Sequence, residues 1–127
     1  MSKHTTIIIF TTAFAVNVVW ESFHYGLYMP LHPLSQIPGV TAVAALLDAM
    51  WVLAIFVFFK SGFKIKLFAA FLLALLIEQW AMLFGVWHYG ENMPIVPVLN
   101  AGLSPMLQLM ATVLVVELIL QLRSKKN

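Results

Sequence analysis

His24-Tyr25-Gly26-Leu27-Tyr28-Met29-Pro30-Leu31-His32-Pro33 and, 64 residues later, His88-Tyr89-Gly90-Glu91-Asn92-Met93-Pro94-Ile95-Val96-Pro97 match at six positions. The matches include His, Met and Pro, which are too uncommon in this chain for composition to explain them easily. An offset of half the chain length implies two tandem copies of one unit, with halves of about 1–63 and 64–127. Each half is expected to be a helical hairpin, and the repeated phrase falls where the first helix of each hairpin ends.

Working outward from the phrase, composition sets the class. With 62% hydrophobic and 9% charged residues, the chain is expected to be an all-α integral membrane protein that forms one transmembrane domain over 1–127. Four apolar stretches are long enough to span, roughly 5–28, 40–59, 65–87 and 103–122. Ala13-Phe14-Ala15 could imitate a processing site, but the apolar run continues through Trp20, so a retained first span is expected. The absence of cysteine excludes disulfides and thiolate chemistry.

All seven basic residues fall on one side of this four-span arrangement: Lys3, then Lys60, Lys64 and Lys66, then Arg123, Lys125 and Lys126. By the positive-inside rule both termini and the central loop are expected in the cytoplasm, in a plasma (inner) membrane. The phrase then lies at the outer face in both copies, and the hairpins are related by an axis along the membrane normal. Topology accounts for the basic residues, so nothing points to nucleic acid.

Two kinds of role fit the phrase. Gly and Pro end helices, while Tyr and Trp favour the headgroup region, which makes the phrase structural punctuation. Alternatively its side chains are ligands: His24, His88, Met29 and Met93, with His32, offer imidazole and thioether groups that suit copper(I). His24 and His88 could also face each other across a haem. No cofactor is required by either spacing.

The residues that cost most inside a bilayer are Glu21, Asp48 and Glu78, each expected about 12–15 Å below the outer interface from the helical rise. They are not duplicated, since shifting them by 64 positions gives Gly85, Thr112 and Phe14. A charged carboxylate there costs about 2.5–3.5 kcal/mol, and no Lys or Arg is expected within the spans to pair with it. At least some of the three are therefore expected to carry a proton. Glu117, near the inner surface, is expected to snorkel.

Helical spacing arranges these acids in polar stripes: Asn17, Glu21, His24 and Tyr28 on the first span, Glu78, Met82, Gly85 and Tyr89 on the third, and Ser104, Gln108 and Thr112 on the fourth. Turned inward with Asp48, they would form an outward-facing acidic pocket. Trp20, Trp51, Trp80 and Trp87 would either wall it or anchor it at the interface.

The run from Glu78 through Gly85, Trp87, Tyr89, Met93-Pro94, Pro97, Gly102-Leu103, Pro105 and Gln108 resembles that of small four-span bacterial membrane proteins without an assigned activity. A more distant resemblance is to carotenoid-type lycopene cyclases and fungal membrane terpene cyclases. It implies metal-free acid chemistry on a polyene or epoxide, carried by position to Glu21, Asp48 and Glu78. The paired acids that follow a Pro in the lycopene cyclases have no match here, where the polar residue after Pro105 is Gln108.

The expected function is binding of a hydrophobic, isoprenoid-like or lipid ligand from the membrane, with acid-catalysed cyclisation or isomerisation. Glu21 and Glu78 would move protons, Asp48 would stabilise positive charge and Gln108 would orient. Asn17, His24, Tyr28, Trp80 and Tyr89 would complete the binding surface. The competing class is non-enzymatic: a proton or cation transporter, a copper or haem binder, or an assembly subunit. A homodimer or larger oligomer is expected in either case.

Overall fold

Four helices long and apolar enough to cross a membrane make up most of the chain in a computed structural model, which describes residues 1–30, 39–60 and 62–125. They are α1 (Lys3–His24), α2 (Val40–Phe58), α3 (Phe63–Leu83) and α4 (Leu103–Ser124). Short strands gather at one end: β1 (Tyr28–Pro30), β2 (Trp87–Tyr89), β3 (Ile95–Val96) and β4 (Ala101–Gly102). β1 pairs antiparallel with β2, matching Tyr28 to Tyr89 and Pro30 to Trp87, and β3 pairs with β4. The opposite end holds the N-terminus, the α2–α3 turn and the end of α4.

The buried face is one narrow line on α1 and α3 and is wider on α4, where Pro105, Met106, Leu109 and Val113 add to it. In α1 it is Ile9, Ala13, Asn17 and Glu21, in α3 Lys66, Ala70, Ala74 and Glu78, and in α4 Gln108, Thr112 and Val116. Four-residue spacing keeps these side chains on a single ridge. Alanines at mid-helix let neighbouring backbones approach closely, which is how helices pack where lipid replaces water. The remaining faces are apolar and outward, with Phe23, Phe58 and Leu83 each about 80% exposed.

Two expected helix ends move. The first span stops at His24, where a single 3-10 turn, Tyr25–Leu27, leads into extended backbone at Tyr28. The third stops at Leu83 and not at 87, because Gly85 adopts φ 64° and closes the helix with bonds from Gly85 N to Met82 O (3.2 Å) and Val86 N to Ala81 O (2.8 Å). That left-handed closure needs a residue without Cβ. As a result His24 and His88, equivalent in the repeated phrase, occupy different elements: His24 ends a helix, and His88 lies in a strand.

Packing follows the order α2, α1, α4, α3, with only sparse contact between α2 and α3. At the turn end, the expectation of a snorkelling Glu117 is corrected. Lys66 lies within α3, is buried, and places its Nζ 2.8 Å from Glu117 Oε2 on α4. The same ammonium stands 4.5 Å from the centre of the Phe56 ring on α2. One cation thus ties α2, α3 and α4 at this end. Toward the strand end α2 and α3 separate.

Removing one partner of a buried ion pair leaves the other uncompensated. Lys66→Met or Glu117→Leu alone is expected to lower stability by about 3 kcal/mol, and the two together by clearly less. Thermal unfolding of the four proteins in one detergent checks this.

Candidate functional site

The floor of the site is built on the side chain of Gln108, one turn and a half into α4. Its Nε2 lies 2.7 Å from Glu21 Oε1 on α1, 2.7 Å from Asp48 Oδ2 on α2 and 3.0 Å from Asn17 Oδ1. A carboxamide nitrogen has two hydrogens, so three oxygens exceed its capacity. The two shorter bonds are those to the carboxyls; the Thr112 hydroxyl stands 3.3 Å from Asn17 Oδ1, but its one hydrogen has a nearer acceptor in Gln108 O at 2.9 Å. Asn17 in turn donates from Nδ2 to Ala13 O at 2.9 Å. Glu21 Oε1 and Asp48 Oδ2 thus lie against one nitrogen, which makes the two carboxyls close neighbours. No lysine or arginine lines the cleft among the described residues to offset two carboxylates this close, an arrangement that favours a proton on one of them.

Glu78 has different surroundings. It accepts from Tyr89 Oη at 2.7 Å and Tyr28 Oη at 3.1 Å, and Trp87 Nε1 stands 3.5 Å away. Its partners are donors, supplied by the paired strands β1 and β2. They form a roof of rings, with Tyr28 packed edge-on to Trp87 at 5.5 Å and tilted against Tyr89 at 5.8 Å. Gly102 in β4 makes room for this roof. A Cβ there would lie 2.9 Å from Met93 Sδ and 3.1 Å from Tyr89 Cε1.

Between floor and roof lies a cleft of about 540 Å³ lined from all four helices. Its flanks are α2 and α3, where Leu47, Trp51 and Trp80 are 52%, 44% and 57% exposed. The opening therefore faces sideways, into the zone that lipid would occupy. Neither Lys nor Arg lines it among the described residues. Below the floor the core is apolar, running through Ile9, Ala13, Ala49, Val52, Val113 and Val116 toward the Lys66–Glu117 pair.

Of the residues predicted from sequence, Glu21, His24, Tyr28, Asp48, Glu78, Trp80 and Gln108 line the cleft. Asn17 supports the floor from behind, and Tyr89 supports Glu78. His24 is buried, with Nε2 3.6 Å from Glu21 Oε2 and Nδ1 3.3 Å from Ser104 Oγ. His88 is exposed and holds its own neighbour's carbonyl, Trp87 O, at 2.9 Å. Met93 is buried beneath Gly102, while Met29 is placed by backbone pairing opposite His88. His32 lies outside the described residues. Among the described residues no group of three His, Asp or Glu side chains converges as a metal site.

The tryptophans divide. Trp51, Trp80 and Trp87 line the cleft, whereas Trp20 faces a separate groove between α1 and α4, and its Nε1 is buried without a partner among the described residues. Sequence reasoning gave no role to Ala44 and Thr41, which shape the cleft wall; the spacing of Thr41, Ala44 and Asp48 along one face of α2 was the available signal. No family model, no curated protein and no solved structure matches this chain.

Burial pushes the Tyr89 phenol above the ordinary tyrosine range; the Gly102 N–H opposes this, and the bond to Glu78 and its charge reinforce it. Burial, followed by the charge of Glu78, pushes Tyr28 in the same direction. A phenol whose pKa is raised on folding stabilises the fold fully below the unfolded value, about pH 10, and that contribution is lost as pH rises through the folded value. Alkaline titration followed by tyrosinate absorbance is expected to show late-titrating phenols, with one lost in each of Tyr28→Phe and Tyr89→Phe. Gly102→Ala is expected to destabilise by about 1–3 kcal/mol, because Met93 and Tyr89 must shift. Gly26→Ala, which meets nothing within 4 Å, is expected to be close to neutral in the same thermal assay.

Proposed function

We propose that the cleft binds a hydrophobic, isoprenoid-like or lipid molecule from within the bilayer and that the Glu21–Asp48 pair acts on it as a proton donor in an isomerisation or cyclisation. The observation that carries this reading is a pair of carboxyls, each 2.7 Å from the Gln108 amide nitrogen, at the floor of an apolar cleft flanked by the exposed faces of two helices. A carboxylic acid in apolar surroundings protonates a double bond or an epoxide oxygen more readily than one in water, since no solvent competes for the proton. The cation that forms would lie between the paired carboxyls and Glu78, with the faces of Trp51, Trp80 and Trp87 around it. Gln108 would keep the pair aligned by donating to one oxygen of each. This makes Asp48 a partner of Glu21 in holding the proton, beyond stabilising charge from a distance.

The apolar layer below the floor supports a closed cleft over a transmembrane proton or cation path, which would need polar groups through that layer. The roof of β1 and β2 supports access from lipid over access from water. The distribution of the seven basic residues supports a strand end outside and both termini in the cytoplasm, in a plasma (inner) membrane. The repeated phrase supports an origin of the two halves, 1–63 and 64–127, as tandem hairpins.

Because the chain has no cysteine, single cysteines report topology directly. Val98→Cys, at a site 93% exposed, is expected to react with a membrane-impermeant maleimide from outside intact cells, and Lys60→Cys only after permeabilisation. Labelling of Lys60→Cys in intact cells, with Val98→Cys reacting only after permeabilisation, would reverse the orientation. For the chemistry, native mass spectrometry of purified protein is expected to find a co-purifying hydrophobic molecule, absent when Ala44→Trp fills the cleft. Glu21→Gln or Asp48→Asn is expected to change the chemical form of that molecule while the protein stays folded and inserted. Loss of folding with no change in bound molecule would assign the carboxyls to helix adhesion instead.

A further inference from the structure

The floor and walls of the cleft select a class of ligand more narrowly than hydrophobicity does. Two carboxyl groups present four oxygens. Gln108 donates to one oxygen of each, Glu21 Oε1 and Asp48 Oδ2, from a single nitrogen with two hydrogens. His24 Nε2 stands 3.6 Å from Glu21 Oε2, beyond hydrogen-bond distance. Acceptor capacity at the floor therefore exceeds the donors that reach it. No lysine or arginine among the described residues lines the cleft to make up the difference. The basic residue nearest in character, Lys66, is committed to Glu117 at the far end of the bundle.

The walls point the same way. Trp51 and Trp80 flank the opening and Trp87 roofs it, and the faces of indole rings attract cations. A ligand that complements this cleft carries N–H donors and positive charge at one end and an apolar chain that leaves between α2 and α3. We propose that the cleft takes a long-chain primary amine, bound as its ammonium. The amine arrives from lipid in its neutral form and accepts a proton from Glu21 or Asp48. Its three N–H groups then replace that proton as donors to the pair, and the chain lies against Leu47 and Ile77. No bond to carbon forms or breaks; one proton passes from carboxyl oxygen to nitrogen.

This inference rests on the reading that the cleft binds a bilayer-borne ligand, but not on turnover. The test uses full-length protein in phosphatidylcholine nanodiscs, with hexadecylamine and hexadecanol as probes, which share a chain and differ in the head. Binding is followed by retention of radiolabelled probe, with Ala44→Trp as the filled-cleft control. Hexadecylamine is expected to bind at least about tenfold more tightly than hexadecanol. The combined change Glu21→Gln with Asp48→Asn is expected to abolish that preference while hexadecanol binding persists. Equal binding of the two probes by the unaltered protein would overturn the ammonium assignment and leave the cleft reading standing. Retention of both no greater than by Ala44→Trp would overturn the two together. The comparison of probes on the unaltered protein decides the assignment even where the double variant fails to fold.

Discussion

Two hydrogens on one amide nitrogen hold the strand end of this bundle together. Gln108 reaches Glu21 on α1 and Asp48 on α2 from α4, so three helices converge on a single planar group. Thr112, one turn further along α4, donates back to Gln108 O at 2.9 Å, and the Asn17 oxygen, at 3.0 Å, is the most distant of the three acceptors around the amide nitrogen. In apolar surroundings a missing donor here would leave a buried oxygen unsatisfied. The helix positions at this end are therefore fixed by polar satisfaction, whereas those in the middle are fixed by alanine-sized contacts.

The opposite end uses a different device. Lys66 is one charge shared by a carboxylate and a ring, and it draws α2, α3 and α4 together where the α2–α3 turn already limits their separation. Between these two fastenings α2 and α3 have little to hold them to each other. The cleft is the volume that results, and its polar floor and aromatic roof lie at the end where the gap is wide. Shape and chemistry of the site thus follow from one asymmetry: an ion pair at the narrow end and an amide-bridged acid pair at the wide end.

Much of this was legible in the residues. Four long apolar runs gave the helices, and four-residue spacing put Asn17, Glu21 and His24 on one face of α1 and Gln108 with Thr112 on one face of α4. Those faces are the buried ones. The helix ends were less legible, since Gly85 inside an apolar pattern reads equally as a tolerated residue or a stop, and its left-handed backbone decides between them. The partner of Glu117 was hidden for a different reason. Lys66 sits in sequence among loop-like basic residues, and only the packing of α3 against α4 turns its ammonium inward. The pairing of β1 with β2 was also out of reach, because it joins segments about 60 residues apart in a register that the repeated phrase does not set.

The roof of Tyr28, Trp87 and Tyr89 lies over the strand end of the cleft, and the exposed Leu47, Trp51 and Trp80 mark a lateral gap between α2 and α3. On the proposed reading, a molecule that reaches the carboxyls by that way has first dissolved in lipid. Its supply is then counted per unit of membrane area, and its partition between phases, not its aqueous level, sets how often the cleft is filled. Two compounds with the same head and different tails are sorted by the bilayer before the protein touches either. Occupancy would also fall when the same number of ligand molecules is spread through more lipid, so the bilayer acts as the first filter of a site whose own walls supply the second.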